Sequence, residues 1–387
     1  MTTRDFTANV ISASKVVPDG NFKDSKASGV WDINEALDLI KGGNWPNAAN
    51  INPAAFVDGL FSIDLWTGNG TARSITNGIN LSGSGGLVWF KMRDQGFSHR
   101  LVDTARGVTK KLESPSTSAE GTEAQGLTAF NSDGFTIGTA DNYNLNNADL
   151  CSWTFRKQPK FFDIVTYTGN STARTISHSL GSTPGMIILK SYGDSSDWIV
   201  YHRGNTAAPQ TDALKLHSTV ATSDNAGYFN DTAPTSTEFS LGDHTDANGN
   251  GKTFVAYLFA HNNDDGGFGE PGDQDIIKCA SYTSDGGTGT EINVGFEPQF
   301  LMIKRSSGSG DWMVFDAMRG VVNSAYPNLD NTLFWNLNNA ERTNTGYIGF
   351  TPTGFIHQGA SGDTNTNGET YVYMAIRRGG MQTPTAA

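Results

Sequence analysis

One string occurs twice in this chain, and it limits the fold more than any other feature. Thr67–Ile75 reads TGNGTARSI and Thr168–Ile176 reads TGNSTARTI, identical at seven of nine positions and 101 residues apart. A repeat at that distance implies copies of one structural unit. Three further blocks recur in the same order. An apolar run ends in lysine at Lys91 (LVWFK), Lys190 (MIILK) and Lys304 (FLMIK). A strand-like run ending in Arg-Gly follows: HRLVDTARG to Gly107, DWIVYHRG to Gly204, DWMVFDAMRG to Gly320. A third run starts at Gly134 (GFTIG), Glu238 (EFSLG) and Gly354 (GFIHQG), then passes through a hairpin into a closing strand. Apolar side chains alternate along the closing strands, as Cys151, Trp153 and Phe155, then Val255, Tyr257 and Phe259, then Val372, Met374 and Ile376. Alternation of period two marks a half-buried strand whose register is fixed by its core face.

These blocks predict an all-β protein of three tandem antiparallel β-sandwich domains. The repeats cover residues 61–163, 164–261 and 277–378. An acidic, Gly-rich stretch over 262–276 (NNDDGGFGEPGDQD and one further residue) reads as a flexible hinge or extended linker. Forty-five glycines and a hydrophobic content of 37% suit short strands joined by turns. Residues 1–60 form a different, N-terminal attachment segment with one small helix. There Asp32 is the expected cap, Glu35 completes an approximate capping box and Gly42 ends the helix. Residues 379–387 are a C-terminal tail.

The net charge of −12 comes without a basic patch, so no nucleic-acid partner is expected. No basic start precedes an apolar core, so no signal peptide is expected, and no apolar run is long enough to insert in a membrane. Synthesis in the host cytoplasm follows as an expectation. Cys151 and Cys279 stand alone in strand-like runs and read as small buried hydrophobes.

The unit of an apolar run ending in Lys, a D-W-x-V-x-D-x-x-R-G strand, G-F-x-x-G and a closing aromatic strand resembles a repeated domain of marine bacteriophage structural proteins. Those are tail-fibre proteins with concanavalin-type, jelly-roll, lectin-like sandwiches. The leading stretch ASGVWDINEALDLIKGGNWP is similar to segments ahead of such domains. Copy three matches best, with Asp311, Trp312, Phe315, Asp316, Arg319 and Gly320 in place. Copy two has Tyr201 and His202 for Phe315 and Asp316, and copy one has Ser98 and His99 near the place of the Asp-Trp pair. The resemblance implies a virion component on the tail or another outer surface. It would be homotrimeric, joined to other virion proteins through residues 1–60 and bound to host-surface glycans. A structural role without receptor contact, as head fibre, capsid decoration or tail adaptor, is the alternative.

Sites are weighed on the residues themselves. No paired-carboxylate strand of the glycosidase kind and no G-x-S-x-G elbow occurs, so no enzyme is expected. Trp198 and Trp312 sit in alternating apolar strands and read as core. Tyr192, Trp335 and Tyr347 lie in loop-like contexts and are the candidate ligand contacts. Asp246, Asn248 and Asn250 before Gly251, and Asp363, Asn365 and Asn367 before Gly368, spell D-x-N-x-N-G twice. Alternate oxygens before a glycine resemble half a calcium loop, although Tyr257 stands where the closing Glu would be. Asn-Gly is also a hairpin turn, which is the preferred reading. Calcium is the only cofactor the pattern admits.

Overall fold

A computed structural model of the chain describes residues 56–269, 272–321, 330–359 and 361–379. The expected attachment segment up to residue 55, with its small helix, and the tail beyond 379 lie outside them. Each repeat is built on one antiparallel sheet whose strands come in the same spatial order. An opening strand (Phe61–Thr67, Phe162–Thr168, Ile277–Thr283) lies beside the closing strand (Asp149–Arg156, Thr253–Ala260, Thr370–Arg377). Next comes a lysine-bearing strand (Gly86–Met92, Pro184–Ser191, Pro298–Arg305), then an edge strand (Arg100–Asp103, Trp198–His202, Trp312–Asp316). The registers coincide: Trp89 faces Trp153, Ile188 faces Tyr257, and Met302 faces Met374.

A smaller sheet covers the outer face of each large one. In repeat 1 it is Arg73–Thr76, Gly134–Ile137 and Leu127–Asn131; in repeat 2, Arg174–Ser177 with Glu238–Leu241; in repeat 3, Glu291–Asn293, Gly354–His357 and Ile348–Thr351. Val88, Phe90 and Leu150 meet Leu127, Phe135 and Ile137 between the layers of repeat 1. Leu301 and Ile303 meet Ile348, Phe350 and Phe355 in repeat 3. The fold is all-β and antiparallel. The described helices are single turns, and none is long and apolar enough to cross a membrane.

The inner face of each large sheet is buried as well, and this departs from the half-buried strand expected. Trp153 and Phe155 are fully buried on one side of their strand, and Ser152 and Thr154 on the other. Strands covered on both faces read as continuous apolar runs, which accounts for LVWFK and its two counterparts. The inner faces meet in a shared plug. Phe155 of repeat 1 lies against Phe259 and Phe162 of repeat 2 (5.4 and 5.6 Å between ring centroids) and Phe300 of repeat 3 (6.3 Å). Phe61 packs on Phe300 from the other side (5.5 Å).

From Phe56 onward the chain therefore clusters as one unit rather than three beads. The described residues on either side of 270–271 are joined at the base of this stretch. The Asn262 carboxamide oxygen accepts the N–H groups of Ile276 and Ile277 (3.0 and 3.2 Å), and Asp275 accepts those of Asp264 and Gly266 (2.8 and 3.0 Å).

Candidate functional site

The edge strand of each repeat leads into a long loop that lies across the inner face of the next repeat's sheet. Three equivalent backbone bonds fix the register. Glu120 N–H donates to Tyr192 O (2.9 Å), Thr222 N–H to Ser306 O (3.0 Å) and Glu341 N–H to Arg93 O (2.6 Å). Repeat 1 thus covers repeat 2, repeat 2 covers repeat 3, and repeat 3 covers repeat 1. Contacts that run head to tail and return to their start close a ring with approximate threefold symmetry.

Two side-chain positions recur at every seam. The first begins the edge strand and donates to a carbonyl of the covering loop. Trp198 Nε1 reaches Glu113 O and Ser116 O (3.2 and 2.9 Å), Trp312 Nε1 reaches Lys215 O (3.0 Å), and His99 Nε2 reaches Phe334 O (2.9 Å). The second ends the edge strand. Asp103 binds Arg106 (2.6 Å) and accepts the Tyr257 hydroxyl (2.7 Å) across the first seam. Asp316 binds Arg319 (2.6 Å) and accepts the Trp153 indole N–H (2.9 Å) across the third. Glu120 and Glu341 complete these networks by pairing with Arg106 (2.9 Å) and Arg319 (2.7 Å). Burial opposes the charge of both guanidiniums, yet the carboxylates beside them hold both above their ordinary value. Repeat 2 carries His202 there, donating to Tyr373 O (3.0 Å). The Arg-Gly of repeat 2 is not the counterpart of the other two. Its turn after the edge strand is two residues shorter, so Arg203 does not stand where Arg106 and Arg319 do.

One surface that the seams leave open is the pole of the ring formed by loops beyond the lysine ends of the strands. Its best-defined parts are the duplicated strings. Asn144 accepts the N–H of Asn69 (3.0 Å) and donates to Gly138 O and Thr71 O (3.1 and 2.6 Å). Asn248 does the same for Asn170, Gly242 and Thr172 (3.1, 2.7 and 2.8 Å). Gly68 and Gly169 are required beneath, because an added Cβ would come within 2.0 Å of Leu145 O and 2.2 Å of Gly249 O. Thr71, Ala72, Thr172 and Ala173 are left exposed at the tips. At the opposite pole Asp58 lies against Gly379.

Residues 58–378 match the family model described as a domain of unknown function, DUF7483. The chain belongs to the DUF7483 family. That model takes in all three repeats, as expected if the ring rather than the single repeat is the unit that folds. No curated protein matches the chain.

The DUF7483 ring does not bring the three candidate aromatics together. Trp335 is fully buried and stacked on Trp89 (4.2 Å between centroids) in the third seam, so its ring offers no face to a ligand. Tyr347 packs against the core of repeat 3, and only Tyr192 is at the loop pole, half-buried. Trp198 and Trp312 are buried seam donors. The D-x-N-x-N-G strings are built as turns. Asn248 is fully buried with its oxygen committed to Asn170 N–H, and Asn365 is held by Ser284 and Gly287. Asp363 accepts Asp311 N–H (2.9 Å), Asp246 lies 3.8 Å from His244, and Asn250 and Asn367 point to solvent. Two amides committed to the backbone and to Ser284 fit the hairpin-turn reading of these strings. The seam residues Asp103, Arg106, Asp316 and Arg319 escaped notice as a pair, although D-x-x-R-G in copies one and three signals them.

Proposed function

We propose that this protein is a non-enzymatic bacteriophage virion protein, a tail-fibre or tail-tip adhesin that meets host-surface glycans with the loop pole of its ring. The observation that carries the reading is the polarity of the ring, with Asp58 and Gly379 at one pole and pre-ordered, amide- and hydroxyl-rich loops at the other. A rigid scaffold presenting such loops suits recognition of sugar hydroxyls, and repeated sites raise weak affinity through avidity. The strongly perturbed Arg106, Arg319, His99 and His202 are buried inside the seams, and Tyr143 and Tyr282 between the sheets of their own repeats. The resemblance to phage tail-fibre domains supports the virion setting. A homotrimer would assemble through surfaces other than the seams, which are already filled.

The test is host-cell adsorption and glycan-array binding of the full chain against Thr71→Glu/Thr172→Glu. These exposed substitutions leave the urea midpoint unchanged and are expected to weaken binding at least tenfold, about 1.4 kcal/mol or more. Equal binding by variant and parent would remove the loop pole from recognition. Labelling of the capsid lattice instead of the tail would favour the decoration role.

A further inference from the structure

At each of the two recurring edge-strand positions one repeat departs from the other two, and both departures are histidines at the seams of repeat 3. His99 takes the place of Trp198 and Trp312 where repeat 3 covers repeat 1. His202 takes the place of Asp103 and Asp316 where repeat 2 covers repeat 3. Both are fully buried and wired alike. His99 Nδ1 accepts the Trp89 indole N–H (2.9 Å) while Nε2 faces Phe334 O (2.9 Å). His202 Nδ1 accepts Gly204 N–H (3.1 Å) while Nε2 faces Tyr373 O (3.0 Å). An indole or backbone N–H only donates and a carbonyl only accepts, so each ring is the neutral tautomer with its proton on Nε2. A second proton would have to sit on Nδ1, against a donor already pointing at it. A third imidazole joins them at the junction with repeat 3: His261 Nδ1 accepts Cys279 N–H (3.2 Å). The first seam has Trp198, Tyr257 and the Asp103–Arg106–Glu120 network; its nearest histidine among the described residues, His217, stays within repeat 2, where Nδ1 accepts the Trp198 backbone N–H (3.4 Å) and Nε2 lies 3.3 Å from the Asp197 carboxylate, an anion that favours its protonated form.

We propose that His99 and His202 form an acid latch: protonation opens both seams of repeat 3 and releases it, tethered by residues 262–276, while repeats 1 and 2 stay joined. The surroundings favour this selectivity. The charged groups facing His99 are Lys91, Arg100 and Arg319, all cationic and all opposing a further positive charge. Arg319 is held by Asp316 and Glu341, so their carboxylates are already engaged. Facing His202 are Arg203 on its own turn and His261, with Tyr373 contributing only its carbonyl. Burial pushes His202 down to about 3 and His261 down to about 4, and holds His99 well below its ordinary value. A base depressed in the fold contributes stability above its unfolded pKa of 6.5 and loses it as pH falls through the folded value. Opening therefore belongs to the acid side, between about pH 6 and pH 3.

Amide hydrogen exchange on the full chain, stepped from pH 7 to pH 3.5 and corrected for intrinsic rates, tests this. Protection is expected to fall first in both seams of repeat 3, around His99, Trp335, His202 and Tyr373, while Glu120 and Tyr257 stay protected. The double variant His99→Gln/His202→Gln, whose amides donate and accept without titrating, should move that step down by a pH unit or more. Simultaneous loss at all three seams would overturn the latch and point to the carboxylate networks. So would an unshifted step in a variant that is folded at pH 7. Should the variant fail to fold, the order of opening in the parent decides alone.

Discussion

Lys91, Lys190 and Lys304 hold one position in three repeats, and each is buried. Their ammonium groups are satisfied by carbonyls: Met92 and Gln95, Thr117 and Ser196 (2.9 and 2.8 Å), Thr219 and Gly310 (3.1 and 2.9 Å). Burial pushes all three down to about 8. A lysine depressed in the fold contributes its full stability only above the unfolded value of 10.5 and loses it as pH falls through 8. Raising the pH past 8 therefore strengthens the ring. Burial pushes the Cys151 thiol up to about 12, so its contribution is complete below 9.0 and declines above that value. The urea midpoint should climb from pH 7.5 to about pH 9 and fall again beyond about pH 10. A flat profile would mean that the ammonium groups are better solvated than their burial implies. The lysines were legible in the sequence as repeat markers because each ends an apolar run. Their burial was not, since the loops over Lys190 and Lys304 belong to other repeats.

At the scale of elements, the single-turn segment before each closing strand matters more for its asparagine than for its helix. Asn248 ties the loop 168–174 to the rest of repeat 2 with three bonds through its one carboxamide, Oδ1 accepting from Asn170 N–H and Nδ2 donating to Thr172 O and Gly242 O. Asn248→Ala leaves buried backbone groups of that loop unpaired, at about 1–3 kcal/mol for such a loss. The expected signature is faster exchange at Asn170 N–H with little change at Asn69 N–H in repeat 1; equal change in both loops would contradict the assignment. The strands themselves were readable from period and block order, and the large sheets follow them. What the closing strands face was not, because the partner is remote in sequence: Trp153 and Asp316 are 163 residues apart. Alternation reports that a face is covered, and it carries no information about what covers it. For the same reason Trp335 passed for a loop aromatic.

At the scale of the molecule, one closed ring replaces three independent domains. The seams bury Trp89, Trp153, Trp198, Trp312 and Trp335 completely, so a repeat cut out at 61–163 would expose a broad apolar face. Such a fragment is expected to aggregate. Asp58 and Gly379 are neighbours, so a short linker between these ends, with new termini opened between residues 269 and 272, should give a permutant that folds. Ends that lie close together tolerate permutation. Its thermal unfolding should remain a single transition within a few degrees of the parent, read by calorimetry. Separate transitions for the repeats would show that the seams are weaker than their burial suggests.

The closure of the ring within one polypeptide bears on how such a molecule can change over generations. In an assembly of three identical chains, a codon altered once is altered in every seam together, and a residue tolerated in two settings but not the third is lost. Here each seam is encoded separately. That freedom is compatible with an imidazole at position 99 beside indoles at 198 and 312, and with another at 202 beside carboxylates at 103 and 316. Threefold form does not require threefold sameness at each site.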